Sequence, residues 1–324
     1  MPETRYVRAV TQALADAMAA DPTVIVMGED VARAGGPFSA TRGLLDRFGP
    51  ERVIDTPISE ASIAGAAVGA AMSGLRPVLE IMFMDFVALA MDALVNQAAK
   101  ARFMFGGQTC VPMVVRLPHG AGLSAGPQHS QCLEAWFAHI PGLKVVCPAT
   151  VADAYGLLRA AIEDPDPVIV VENKALYAMK GALPEPAPIV PIGRAAIARE
   201  GRDVTLVAYG AAIGTCLAAA GTLAAEGVEA EVIDLRSLQP WDEAAVLSSL
   251  SRTHRLVIVH EAVEAFGVGA EIAARMADIG FDELDAPILR VGAPFMPVPF
   301  ARALEQAIIP SPQAVIAAVR RTLA

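Results

Sequence analysis

VIDTPISEASIAGAAVGAAMSGLRPVLEIMFMDF, residues 53–86, is the stretch that decides the fold. A strand-like run, RVID at 52–55, turns through Pro57 into a helix of small residues around 61–73. A second apolar run, PVLEIM at 77–82, follows Gly74. Strand, helix, strand at this spacing implies parallel strands joined by a covering helix. The helix is apolar on every side, which predicts burial, with Gly65 and Gly69 permitting close packing.

Working outward, the same alternation continues. Residues 6–19 read as a helix leading into the apolar run 23–27, and residues 86–104 carry a helical apolar period. Runs at 112–117, 144–147 and 168–172 read as buried strands, with helices near 129–139 and 152–162. Such alternation predicts a parallel sheet covered by helices on both faces. GALPEPAPIVPIG, residues 181–193, holds four prolines and can continue neither a helix nor a central strand, so it reads as a linker. Strands at 204–208, 231–235, 256–260 and 288–291 then alternate with helices, and two further helices lie near 300–307 and 312–323. The expected class is α/β, with one domain over residues 1–185 and a smaller one over 186–324.

Bulk composition narrows the function. Of 324 residues 54% are hydrophobic and 19% charged, enough for large cores and too apolar for long disorder. A formal net charge of -10 argues against nucleic acid or an anionic membrane surface as partner. No apolar run reaches about 18 residues, the length a membrane span needs. The N-terminus resembles neither a signal nor a transit peptide. Cys110, Cys132, Cys147 and Cys216 form no metal or disulfide pattern, which suits a reducing cytoplasm. Dinucleotide binding would need G-x-G-x-x-G. Gly120-x-Gly122 and Gly267-x-Gly269 lack the third glycine, and no Walker loop is present. The chain therefore has Rossmann-like alternation without a phosphate cradle.

Three clusters could carry chemistry. DTPISE, 55–60, sits where a strand gives way to a helix, the usual ligand-binding end of an α/β sheet. Ser59 could equally cap that helix and Glu60 complement its dipole. QHSQ, 128–131, follows the tightly shaped loop LPHGAGLSAGP and presents His129, which could be catalytic or a hydrogen-bonded structural histidine. His119, His139, His254 and His260 read more strongly as structural, although His260 ends a strand beside Glu261. FMDF, 83–86, places two aromatics at a strand-to-helix junction, as core or as a stacking surface for a planar ring.

Taken together with GED (28–30), NQAAKARFMFGGQ (96–108), HIPGLKVVCP (139–148), DPVIVVENKALY (166–177) and FGVGAEI (266–272), these blocks resemble the beta subunits of thiamine-diphosphate-dependent 2-oxo acid dehydrogenases. FMFGGQ and NKALY look most like the pyruvate and acetoin branch. The resemblance implies a transketolase-like pyrimidine-binding domain followed by a transketolase C-terminal α/β domain. It implies oxidative decarboxylation of a 2-oxo acid, or cleavage of acetoin, with acyl transfer to a lipoyl group; branched-chain 2-oxo acids are an alternative substrate. The family's Gly-Asp-Gly motif for magnesium and diphosphate is missing from this chain. An alpha subunit is expected to supply it, in a heterotetramer of two alpha and two beta chains, so the chain should be active only with that partner.

By the same resemblance Glu60 is the carboxyl that meets the cofactor's pyrimidine nitrogen, and Phe86 is the aromatic that packs on the ring. His129 is the active-site histidine, which positions or protonates intermediates or acts during acyl transfer. Potassium is implied at backbone oxygens of Met113, Ala161, Ile162, Asp164 and Asp166, although AIEDPD could be an ordinary turn. From residue 200 onward, 16 acidic residues against 9 basic leave an excess of seven negative charges, suited to docking a basic module of the lipoyl acyltransferase core. Two positions depart from the pattern. Asp92-Ala93 stands where many relatives have Asp-Gln, and Pro127 stiffens the approach to His129. Two other readings remain open: a fragment of a transketolase or deoxyxylulose-phosphate synthase, and a non-catalytic scaffold for the alpha subunit.

Overall fold

The computed structural model describes residues 3–324. In chain order its elements are β1 (Glu3–Arg5), α1 (Tyr6–Ala20), β2 (Val24–Gly28), α2 (Leu44–Phe48), β3 (Val53–Asp55), α3 (Glu60–Met72), β4 (Arg76–Glu80), α4 (Ala99–Met104), β5 (Val114–His119), α5 (Glu134–Ala138), β6 (Lys144–Val146), α6 (Val151–Glu163), β7 (Val168–Asn173) and β8 (Lys180–Ala182). There follow β9 (Ala196–Arg199), β10 (Val204–Ala208), α7 (Ala212–Ala225), β11 (Ala230–Asp234), β12 (Ser237–Gln239), α8 (Glu243–Thr253), β13 (Leu256–Val263), α9 (Val268–Ile279), β14 (Leu289–Ala293), α10 (Arg302–Ile308) and α11 (Pro312–Leu323). Two compact units result. The first runs to His119 and takes in Trp136–Ile192; the second comprises Gly120–Ala135 and Gly193–Ala324. The second unit is thus built from two separate stretches of chain.

In the first unit six strands pair in parallel in the order β6-β7-β5-β4-β2-β3. All residues of β2, β5 and β7 are buried, as strands covered on both faces must be. Helix α1 buries Tyr6, Val10, Ala13, Leu14 and Ala17, a helical stripe that packs against α6. From β2 the chain steps to β3 on one side and then to β4 on the other. That reversal makes the carboxyl ends of β2, β3 and β4 a topological switch point, where α/β sheets bind ligands.

The second unit carries a smaller sheet, β14-β13-β10-β11-β9, parallel except for β9. Its central β10 is buried throughout, and Thr205 there shares hydrogen bonds of 2.6 Å with Ser249 and Thr253 of α8. That satisfies a buried hydroxyl in an otherwise apolar layer.

Several expectations are corrected. Gly65 and Gly69 are exposed, with no atom within 4 Å of where a Cβ would stand. A helix apolar on every side gives no clue to which face is covered. Residues 86–104 are helical throughout but change winding: a 3-10 turn (Met84–Ala90) and a π-helix (Asp92–Ala98) precede α4. Stretches of seven residues are too short for an apolar period to separate these windings. His129 lies in a loop, and helix begins only at Glu134. The expected break at 181–193 opens with an edge strand, since β8 pairs antiparallel with β1. Beyond it the chain lies on α6, where Val190 N–H donates to Gly156 O and a Cβ on Gly156 would meet the Pro188 carbonyl oxygen at 2.7 Å.

A buried ionic cluster ties three central strands together. Arg116 on β5 is fully buried and donates to Glu172 of β7 through Nε at 2.8 Å and Nη2 at 2.7 Å. Its Nη1 donates to Glu80 at the end of β4, and Tyr177 donates its hydroxyl to Glu172 at 2.8 Å. Burial pushes the Glu80 carboxyl up and Arg116 opposes that rise, while Glu172 and Glu80 hold Arg116 protonated. Replacing one member of such a cluster strands the others' charges in apolar surroundings. Arg116→Leu should therefore lower unfolding free energy by on the order of 3–5 kcal/mol. Urea unfolding curves that coincide for wild type and variant would contradict this.

Candidate functional site

At the switch point of the first unit, backbone geometry brings acidic side chains inward. Gly28 ends β2 at φ +157°, and a Cβ there would approach the Glu80 carbonyl oxygen to 2.5 Å. Close strand passage thus requires glycine. The chain then turns through Asp30, left-handed at φ 56°. Asp55, at the end of β3, accepts from Ala32 N–H at 2.6 Å and from Arg33 N–H at 3.2 Å, tying this turn to its neighbouring strand. Between them sits Glu29, buried, with Oε1 lacking any hydrogen-bond partner. Burial first, then the charges of Glu60 and Asp30, push its carboxyl above the usual range.

Glu60 is the first residue of α3 and is 6% exposed. Among the described residues its carboxyl takes no hydrogen bond. Ser59 does not cap the helix as expected; its hydroxyl bonds Ser62 Oγ at 2.9 Å. Phe86 lies half-buried on the 3-10 turn after β4, edge-on to Phe83 at 5.7 Å. Phe83 in turn meets Phe38 at 5.7 Å, and Lys174 Nζ sits 5.0 Å over its ring. The first unit therefore offers an uncommitted carboxyl and a braced aromatic surface at the carboxyl ends of β3 and β4. That donor set fits a flat heteroaromatic ring with a protonatable nitrogen. Glu29 is the residue that sequence reading passed over; its GED motif entered only as part of a resemblance, and the signal that marks it is burial.

The turn after α6 gathers cationic side chains. The carbonyls of Ile162 and Asp164 accept from Arg76 Nη1 at 2.8 and 3.2 Å. Lys144 Nζ reaches the Asp164 carboxylate at 2.6 Å, and Arg102 pairs with Asp166 at 2.5 Å. The Met113 carbonyl accepts from Val168 N–H at 3.0 Å. Carbonyls of a helix C-terminus favour positive charge, and here a guanidinium supplies it. Any potassium bound to Ile162 and Asp164 would share their oxygens with Arg76.

His129 belongs to the second unit, on the loop stretch Gly120–Ala135, and is half-buried. Its N–H donates to Gly126 O at 3.3 Å. A cavity of about 340 Å³ lies beside it, lined among others by Pro127, Ser130, Cys132, Glu261 and Phe295. At the end of the loop Tyr209 donates its hydroxyl to the buried Glu134 at 2.8 Å. His260 is fully buried, donates its Nδ1–H to Ala262 O at 3.1 Å, and is packed so closely that a Cβ on Gly267 or Gly269 would come within 2.7 Å of its ring. Burial lowers it to about 4 and, with Lys174, lowers His119 to about 3, so both are neutral at physiological pH.

Burial raises Glu134 from 4.5 to about 7, with Glu261 adding to the rise and Tyr209 opposing it. An acid whose folded pKa lies above its unfolded value stabilises fully below the unfolded value. That stabilisation is lost as pH climbs through the folded one. Between pH 4.5 and 7 this group alone should remove on the order of 3 kcal/mol. Glu134→Gln should flatten the dependence in that window and leave the variant the more stable at pH 8. Parallel stability profiles for the two proteins, from urea unfolding at successive pH values, would exclude this role.

Comparison with known proteins agrees with these observations. Residues 3–180 match the family Transketolase, pyrimidine binding domain, and residues 193–315 match Transketolase, C-terminal domain. The chain is 49% identical over 320 residues to the acetoin:2,6-dichlorophenolindophenol oxidoreductase subunit beta of Bacillus subtilis, covering 95% of this chain and 94% of that protein. It is 46% identical over 317 residues to a mitochondrial pyruvate dehydrogenase E1 component subunit beta-2 of Oryza sativa, covering 97% and 84%. A solved structure, a split gene transketolase described as an inactive beta4 tetramer, superposes with TM-score 0.81 at 24% identity over 98% of this chain and 97% of that one. That match supports the two-part α/β fold. The chain belongs to the transketolase-like family formed by the beta subunits of pyruvate dehydrogenase E1 and acetoin dehydrogenase.

Proposed function

We propose that this chain is the beta half of a thiamine-diphosphate-dependent dehydrogenase acting on pyruvate, another 2-oxo acid or acetoin. The observation that carries the reading is the pairing of Glu60, buried with an uncommitted carboxyl, with the braced ring of Phe86 at the switch point. Bound thiamine diphosphate would supply a nucleophilic thiazolium carbon and an electron sink for breaking the substrate's carbon–carbon bond. Glu60 would hold a proton at the pyrimidine nitrogen, and Phe86 would keep the ring flat against the protein. Glu29, its carboxyl raised by burial and by Glu60, would exchange protons with that carboxyl. His129 would hold or deliver a proton at the substrate oxygen or during acyl transfer to lipoyl.

An alpha partner would hold the diphosphate and magnesium, because no Gly-Asp-Gly occurs in this chain. Two alpha and two beta chains would make the working assembly. Potassium would bind, if at all, at the turn of Ile162 and Asp164, in company with Arg76. The acidic stretch from residue 200 onward suits a basic module of the acyltransferase core. No helix among the described residues is long and apolar enough to cross a membrane. Cysteines that form no disulfide would suit a cytoplasmic setting.

In the assembled complex, Glu60→Gln should cut turnover by about a hundredfold or more, the scale of a lost proton-transfer group. Cofactor affinity should change little. Undiminished turnover would remove Glu60 from the mechanism and favour a scaffold. The chain alone should bind thiamine diphosphate weakly in calorimetry; tight, magnesium-dependent binding would refute the need for a partner.

A further inference from the structure

The loop that carries His129 has no regular structure over residues 120–133, so its backbone hydrogen bonds must go elsewhere. Near its start they go to two carboxyl groups. Ala121 N–H donates to Glu261 Oε1 at 2.5 Å. Gly122 N–H donates to Glu305 Oε1 at 2.9 Å. Ser124 N–H reaches both Glu305 oxygens, at 3.1 and 3.0 Å, and the Ser124 hydroxyl reaches Oε2 at 3.4 Å.

Ser124 adopts a left-handed conformation, φ 54°, which a serine enters only at some cost. Backbone turned this way presents successive N–H groups to one point, a concavity suited to an anion. Glu305 fills it. The side chain is fully buried, and among the described residues no lysine or arginine pairs with it. A buried carboxyl without a cation does little for stability by itself. What it does here is gather the donors of an irregular loop, which its two oxygens can accept together.

The same segment grips the loop a second time. Phe300 lies against Gly126 so closely that a Cβ there would stand 2.1 Å from its ring. Gly126 is also left-handed, at φ +78°, and its carbonyl accepts from His129 N–H. Residues 300–305 thus hold the loop at 122–124 and at 126, immediately before His129.

We propose that Glu305 is a positioning residue, whose buried carboxyl fixes the Gly122–Ser124 backbone and thereby the placement of His129. This rests on the reading of His129 as an active-site histidine. A glutamine would turn an amide donor toward backbone donors and lose part of the grip.

The test uses the full chain assembled with its alpha partner, in Glu305→Gln, His129→Ala and the double variant. Amide hydrogen exchange over residues 121–129, read by mass spectrometry, should quicken roughly tenfold or more in Glu305→Gln. The kcat should fall ten- to hundredfold, the scale of a misplaced group, with thiamine diphosphate affinity unchanged. The double variant should be no slower than His129→Ala alone. Unchanged exchange, or losses that multiply in the double variant, would overturn the proposal while leaving the His129 reading intact. Full turnover in His129→Ala would defeat that reading and the positioning role with it. If Glu305→Gln does not assemble, Phe300→Ala, at a ring 66% exposed, should reproduce the faster exchange and slower turnover. Its failure to do so would equally overturn the anchor.

Discussion

The first unit depends on one buried guanidinium. Arg116 sits in the middle of β5 and reaches a carboxyl on each neighbouring strand, Glu80 of β4 and Glu172 of β7. Hydrogen bonds along a parallel ladder set spacing but leave the strands' far ends to side chains. Here the side chains are charged, and none of the three can leave without exposing the others to an apolar interior. Tyr177 extends the cluster, since its hydroxyl donates to Glu172 while its ring lies tilted against Phe38, centroids 5.0 Å apart. Phe38 braces Phe83, and Phe83 braces Phe86. A continuous set of contacts therefore runs from the ionic core to the aromatic surface of the candidate site.

Strand order explains why acidic groups collect beside that surface. Because β2 has β3 on one side and β4 on the other, the segments leaving all three strands diverge and leave a crevice. Glu29 leaves β2, Glu60 follows β3 and Phe86 follows β4. Burial first, then the neighbouring charges of Glu60 and Asp30, raise the Glu29 carboxyl in that crevice.

The second unit solves a different problem. Its loop carries His129 on a stretch with no helix or strand of its own. Carboxyl groups from β13 and α10 take the place of a ladder, and a glycine under Phe300 sets the direction of approach. Glu134 closes the far end through Tyr209, with a pKa near neutrality that makes this contact the pH-sensitive one.

Much of this was legible beforehand. The alternation of apolar runs placed β2, β4, β5, β7, β10 and α11 within a few residues, because strands buried on both faces must be apolar without interruption. Motif order singled out Glu60, Phe86 and His129. Edge strands β1, β8 and β9 left no such mark, since half-exposed edges carry mixed residues. Nor could spacing reveal that Glu305 meets Ser124 across 181 positions, or that Arg76 reaches the carbonyls of Ile162 and Asp164. By itself the sequence determined the α/β alternation, the family and the candidate residues, because local apolar patterns and motifs act over short stretches of chain. Only the tertiary structure decided which charges are buried, which pair, and which helix face stays open, because those depend on contacts between segments that no local pattern encodes.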